Sequence, residues 1–94
     1  MQQIYDYIDD RWQEAIEDLK RLCRQPSISA QDVGMAETVQ LLVQMMQEYD
    51  ISVRILPSPG DGYPLIYGEL GGVSSTTLLF YNHYDVQPPE PLEL

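Results

Sequence analysis

The chain has 94 residues, enough for one small domain, and its hydrophobic content of 44% favours a folded protein over a disordered one. Fifteen Asp and Glu residues outnumber five Lys and Arg residues, and the resulting net charge of −10 argues against nucleic acid or anionic membrane as a partner. No apolar run approaches the roughly 18 residues that a membrane span needs, so the sequence predicts a cytoplasmic protein.

Two amphipathic helices are predicted in the first half of the chain. Apolar residues recur at intervals of three and four from Ile4 to Cys23, and Pro26 ends this helix because the residue before a proline disfavours helical geometry. The same pattern predicts that Cys23, the only cysteine, is a buried structural thiol. A second helix is expected to begin at residues 29–32, where a serine precedes an acid at capping spacing, and to end near Tyr49.

Three strands are predicted in the second half. Residues 51–56 alternate like a half-buried strand, and residues 64–70 are expected to pair with them antiparallel across a loop rich in Pro and Gly. Residues 76–81 form a continuous apolar run, which suits a central strand covered on both faces. Two helices can cover only one face of this mixed α/β layer. The chain is therefore expected to stop before its fold is complete, and to self-associate or bind a partner chain through the uncovered sheet.

His83, the only histidine, follows directly after the third predicted strand, and Asp85 lies two residues on. Side chains two apart in an extended segment point the same way, so the carboxylate can accept a hydrogen bond from one imidazole nitrogen and orient the other toward a metal. A single His-x-Asp triplet is a weak signal. The alternative is a histidine that bonds to the backbone at a strand end and has no chemical role.

Two stretches of the sequence carry a resemblance to a known family. Residues 78–88 (LLFYNHYDVQP) resemble the first metal-binding signature of the co-catalytic two-zinc metallopeptidases. That family includes carnosine-type dipeptidases, aminoacylases, glutamate carboxypeptidases and succinyl-diaminopimelate desuccinylases, and the Val-Gln-Pro ending looks most like the dipeptidase branch. Residues 22–29 (LCRQPSIS) are similar to the family's segment after the first helix, where a Pro-Ser pair recurs. Asn82 stands where the family usually has glycine.

The resemblance implies a ligand role for His83 and a catalytic orienting role for Asp85. His83 would bind one of two zinc ions, and Asp85 would hold the His83 ring. Residues 1–94 would be the N-terminal part of a three-layer α/β/α catalytic domain, incomplete in this chain, with the remaining ligands supplied by sequence beyond Leu94. Glu90 and Glu93 follow the motif too closely to be those ligands and are interpreted as surface residues.

The implied function is metal-assisted hydrolysis of a dipeptide or an N-acyl amino acid. Two zinc ions would lower the pKa of a shared water, a glutamate would take its proton, and the hydroxide would attack the amide carbonyl. The 94-residue chain alone is expected to be inactive and to bind zinc weakly or not at all. Two alternatives stay open: a stand-alone interaction or regulatory module without a metal site, and an unrelated α/β protein with a chance His-x-Asp.

Overall fold

A computed structural model describes residues 1–89 of the chain as two α-helices and a two-stranded antiparallel sheet. Helix α1 spans Gln2–Arg24 and helix α2 spans Met35–Glu48, while strand β1 spans Ser52–Leu56 and strand β2 spans Leu65–Glu69. The predicted mixed α/β character and the antiparallel pairing across the Pro/Gly loop are confirmed. Within the described range, no helix is both long enough and apolar enough to cross a membrane.

Helix α1 ends where its sequence predicts, but it buries none of its residues. Gln25 leaves the helix with extended geometry (φ −77°, ψ 118°), as a residue before proline should. Near this end, the Arg21 guanidinium binds both carboxylate oxygens of Glu48, and the Tyr49 hydroxyl donates to Asp18. Cys23 is exposed. The prediction of a buried thiol was wrong, because no element of the described chain covers that side of α1.

Helix α2 begins later than predicted. Residues Ser29–Gln31 form a 3-10 helix, which ends at Asp32 because that residue has left-handed backbone geometry (φ 51°). The expected helix start at residues 29–32 was therefore wrong. Gly34, also left-handed (φ 73°), precedes α2, and a β-carbon there would lie 2.0 Å from the Pro26 carbonyl oxygen. The same oxygen accepts a hydrogen bond from the Thr38 hydroxyl at 3.0 Å. The linker and the first turn of α2 therefore form one tightly packed unit.

The small core lies where α2 meets the sheet and the linker. In the sheet, Arg54 faces Tyr67 across the strand pair, and its guanidinium lies 5.0 Å from the ring centroid. Gly68 admits the Met46 side chain of α2 close to β2, because a β-carbon there would come within 3.4 Å of it. Four side chains in the described chain are buried: Ser27, Met35, Thr38 and Val39.

The third predicted strand, residues 76–81, does not form, and this prediction was wrong. The segment has no regular secondary structure, and its side chains are open to solvent, with Leu79 at 87% exposure. An apolar run of strand formers becomes a strand only when a neighbouring edge accepts its backbone hydrogen bonds, and within residues 1–89 the sheet pairs only β1 with β2. Glu90 and Glu93 lie outside the described residues.

Candidate functional site around His83 and Asp85

Residues 84–86 dock alongside the linker that follows α1. The Val86 backbone N–H donates to the Ser27 carbonyl oxygen at 2.8 Å, and the Ser27 hydroxyl donates to the Tyr84 carbonyl oxygen at 2.6 Å. Ile28 and Val86 form an isolated parallel bridge. Ser27 is buried, so its hydroxyl needs this partner. The docking brings together the two stretches that carry the family resemblance, although the contacting residues Ser27 and Tyr84 are 57 positions apart in the chain.

Asp85 is hydrogen-bonded through both of its carboxylate oxygens. Oδ2 accepts from the Ser29 hydroxyl at 2.5 Å, and Oδ1 lies 3.2 Å from Nδ1 of His83. The same Nδ1 lies 2.9 Å from the Asp85 backbone carbonyl oxygen. The expected contact between His83 and Asp85 is therefore present.

The two neighbours of His83 Nδ1 decide which nitrogen of the neutral ring carries the proton. An ionised carboxylate and a carbonyl oxygen can only accept, so Nδ1 must be the donor. The second ring nitrogen, Nε2, then keeps its lone pair. The His83 side chain is 77% exposed, so this lone pair points into accessible space. A histidine held in this way has the electronic form that a metal ligand requires.

The hydrogen bond from Ser29 is the main reason that the pKa of Asp85 lies below its ordinary value. The hydrogen bond and the charge of His83 lower the pKa further, whereas partial desolvation opposes them. Asp85 is therefore ionised at neutral pH and can serve as an acceptor for the His83 ring. Its side chain is 41% exposed, so water also reaches the carboxylate.

Two tyrosines connect this corner to the loop before β2. The Tyr63 hydroxyl lies 2.8 Å from Oδ1 of Asp32 and 3.2 Å from the Ser29 carbonyl oxygen, and the Tyr84 hydroxyl donates to the Pro64 carbonyl oxygen at 2.8 Å. The hydrogen bond to Asp32 raises the pKa of Tyr63, and burial raises the pKa of Tyr84. Both hydroxyls therefore stay protonated and remain donors at neutral pH.

An open cleft of about 280 Å³ lies beside His83 and Asp85. Its walls come from three parts of the chain: Ser29 with the start of α2, residues 63–65, and residues 83–85. The cleft combines an imidazole, a carboxylate and two tyrosine rings with apolar side chains. A small molecule with one polar and one apolar end would fit this lining.

The sequence predicts that His83 follows directly after a strand, but in the structure it follows an irregular segment. Sequence reasoning did not single out Ser29 or Tyr63 as members of the site. Ser29 lies 56 residues from Asp85, so no local pattern could reveal their hydrogen bond. Within residues 1–89, no group of three or more His, Cys, Asp or Glu side chains is arranged to hold a metal ion.

Comparisons with known proteins identify no relative of this chain. No family model matches the sequence, and neither the curated proteins nor the solved structures contain a significant match. The geometry of the site and the sequence motif are therefore the two observations that bear on function.

Proposed function

We propose that the chain is the N-terminal part of a zinc-dependent amide hydrolase, in which His83 is a metal ligand. One observation carries the proposal: Oδ1 of Asp85 lies 3.2 Å from Nδ1 of His83, and because a carboxylate can only accept, Nε2 of the neutral ring is left with its lone pair. A carboxylate that holds a histidine in this way is the arrangement that metal-ligating histidines use, because it fixes the tautomer and raises the basicity of the ligand nitrogen.

The residues present fit one ligand position of a zinc site. A neutral imidazole with an accessible nitrogen suits zinc, and a catalytic zinc ion takes about three protein ligands and one open position. His83 is the only histidine of the chain. We propose that the other ligands, the general base and the rest of a three-layer α/β/α domain come from further polypeptide. When bound, zinc would supply Lewis-acid activation of water and of the substrate carbonyl.

The chain's own residues would orient the ligand and shape one side of the substrate site. Ser29 holds one oxygen of Asp85, so the other oxygen faces the His83 ring. The cleft beside them has room for a molecule of dipeptide size, in keeping with a dipeptide or an N-acyl amino acid as substrate. We place this activity in the cytoplasm, because the sequence shows no apolar run of membrane-spanning length.

A second function, an interaction or regulatory module without a metal site, is favoured by a different observation. Large apolar side chains are exposed over much of the chain, including Phe80 and Tyr81. Exposed apolar surface of this extent is typical of a site that another polypeptide covers.

Zinc titration by calorimetry and an amide-hydrolysis assay separate the two functions. The 94-residue chain should bind zinc weakly and hydrolyse neither dipeptides nor N-acyl amino acids. A polypeptide that continues past Leu94 through further acids and a late histidine should bind zinc and hydrolyse these substrates. In that longer protein, His83→Ala should lose metal and activity together. Asp85→Asn should keep much of the metal but lose about 10–100-fold in rate, as is typical when a carboxylate behind a ligating histidine is removed.

The matched control is Asp61→Asn, which makes the same chemical change in an exposed loop and should leave both readouts unchanged. Stoichiometric, tight zinc with turnover in the 94-residue chain would show that the partial-domain interpretation is wrong. Full zinc content in the longer His83→Ala protein would remove His83 from the ligand set. A natural stop codon directly after Leu94 would favour the interaction module.

A further inference from the structure

Helix α1 carries an apolar stripe that the described chain leaves largely exposed. The stripe runs for about 26 Å along the helix at 1.5 Å per residue, and Trp12 near its centre is 51% exposed. Helix α2 and Tyr49, which follows it, contact α1 through Arg21 and Asp18, which lie along one edge of the stripe. We define the α1 stripe by six residues at alternating spacings of three and four: Tyr5, Ile8, Trp12, Ala15, Leu19 and Leu22.

We propose that the α1 stripe binds the α1 stripe of a second copy of this chain, with the two helices antiparallel. Spacings of three and four are those of two-stranded helix pairing. In an antiparallel pair related by a twofold axis, every contact between two stripe residues occurs twice. One alignment, or register, of the two helices pairs the six residues as follows: Tyr5 with Leu22, Ile8 with Leu19, and Trp12 with Ala15. The largest side chain of the stripe thus meets the smallest, which lets the two helices approach closely at the centre.

The charges beside the stripe favour the same register. Arg11 and Asp18 lie on one flank of the stripe, seven residues apart, and this register places Arg11 of each copy opposite Asp18 of the other. Such flanking pairs set the orientation of paired helices. Within the described chain Arg11 contacts Glu14 at 3.8 Å and lies 4.6 Å from the centroid of the Tyr7 ring, and its side chain is still 54% exposed. Asp18 accepts a hydrogen bond from Tyr49 through one carboxylate oxygen, so its second oxygen can accept one from Arg11 of the other copy.

A parallel arrangement fits these residues less well. It would place Trp12 against Trp12 and would bring together the N-terminal turns, where Asp6, Asp9 and Asp10 are concentrated. An antiparallel arrangement instead brings these acids toward Lys20 and Arg24 of the second copy, and it also opposes the two helix dipoles favourably. The proposal does not depend on the proposed enzymatic function, because it uses only residues of α1.

The first test compares two matched variants of the 94-residue chain by sedimentation equilibrium. The wild-type chain should form a dimer, and the emission of Trp12, the only tryptophan, should shift to shorter wavelength as the dimer forms. Ile8→Lys in the stripe should weaken dimerisation by at least about a hundredfold, because two buried isoleucines are lost per dimer. Leu79→Lys, in the exposed irregular segment, should leave it unchanged. Circular dichroism checks that each variant keeps its helices.

The second test reverses charges to read the register. Arg11→Glu and Asp18→Lys should each weaken the homodimer by about tenfold, since two attractive pairs become repulsive. An equimolar mixture of the two variants should recover wild-type affinity, because the mixed dimer regains both pairs. A monomeric wild-type chain, a dimer that Leu79→Lys dissociates and Ile8→Lys does not, or a mixture no tighter than its components would each overturn the proposal.

Discussion

Asp85 receives hydrogen bonds from two residues that lie at very different distances from it in the sequence. The contact with His83 could be predicted, because residues two apart in an extended segment share a side. The contact with Ser29 could not be predicted, since it depends on how the linker after α1 folds back against residues 84–86. At this scale the sequence predicts that the His83 and Asp85 side chains meet, and the tertiary contacts determine how that pair is held.

Replacing Ser29 by alanine should raise the pKa of Asp85 toward its ordinary value, because the Ser29 hydrogen bond is the main cause of the lowered pKa. A lowered pKa in the folded state means that the Asp85 contribution to stability is fully present above the unfolded value of about 3.9. The contribution is lost as the pH falls through the lower folded value. A ¹³C titration of the Asp85 carboxyl measures this directly.

Ser75→Ala, an exposed serine with no contact to the site, is the control for that titration and should leave the Asp85 pKa where it is. An Asp85 pKa that is the same in Ser29→Ala as in wild type would mean that the hydrogen bond does not stabilise the carboxylate.

Among the regular elements, both helices and the first two strands were predicted correctly because each carries its own periodic pattern. The start of α2 was misplaced by a few residues. Ser29 and Asp32 have the spacing of a helix start, but the left-handed Asp32 and Gly34 interrupt the chain before α2 can begin. The third strand failed for a different reason. Residues 76–81 have high strand propensity, and propensity cannot supply the sheet edge that a strand must pair with.

Gly34 should be the least replaceable glycine of the chain. Gly34→Ala combines a left-handed backbone with a β-carbon only 2.0 Å from the Pro26 carbonyl oxygen, so it should lower the free energy of unfolding by more than about 2 kcal/mol. Gly60 has nearly the same φ, 74°, but nothing lies within 4 Å of its β-carbon position. Gly60→Ala should therefore cost only about 1 kcal/mol of backbone strain.

Urea denaturation of both glycine variants separates the steric clash from the strain. Equal losses at the two positions would contradict the tight packing of the linker on α2.

As a whole, the molecule is more open than its length requires. Its Cα radius of gyration is 16.1 Å, compared with about 12 Å for a compact chain of this size, and its accessible surface of 8289 Å² exceeds the roughly 5,500 Å² expected for its mass. The sequence predicted incomplete cover from its element count. It could not predict that the exposed surface would lie mainly on α1 and on an irregular segment, because apolar patterns do not specify which partner covers them.

In so open a molecule, the contact between residues 84–86 and the linker matters for the candidate site. It joins the second half of the chain to the first beside His83 and Asp85. The Ser27 and Ser29 hydroxyls and the Val86 N–H make this contact. Through it, Ser29 holds one oxygen of Asp85, and the other oxygen of Asp85 faces the His83 ring.

The tautomer of His83 is therefore the most direct measurement of the central claim, and a single histidine makes it unambiguous. The ¹⁵N shifts of the neutral imidazole report which nitrogen carries hydrogen. We predict that Nδ1 is protonated and Nε2 carries the lone pair in the wild-type chain, because both neighbours of Nδ1 are acceptors. A wild-type ring protonated mainly at Nε2 would contradict the account, because the nitrogen offered to a metal would then already carry a proton.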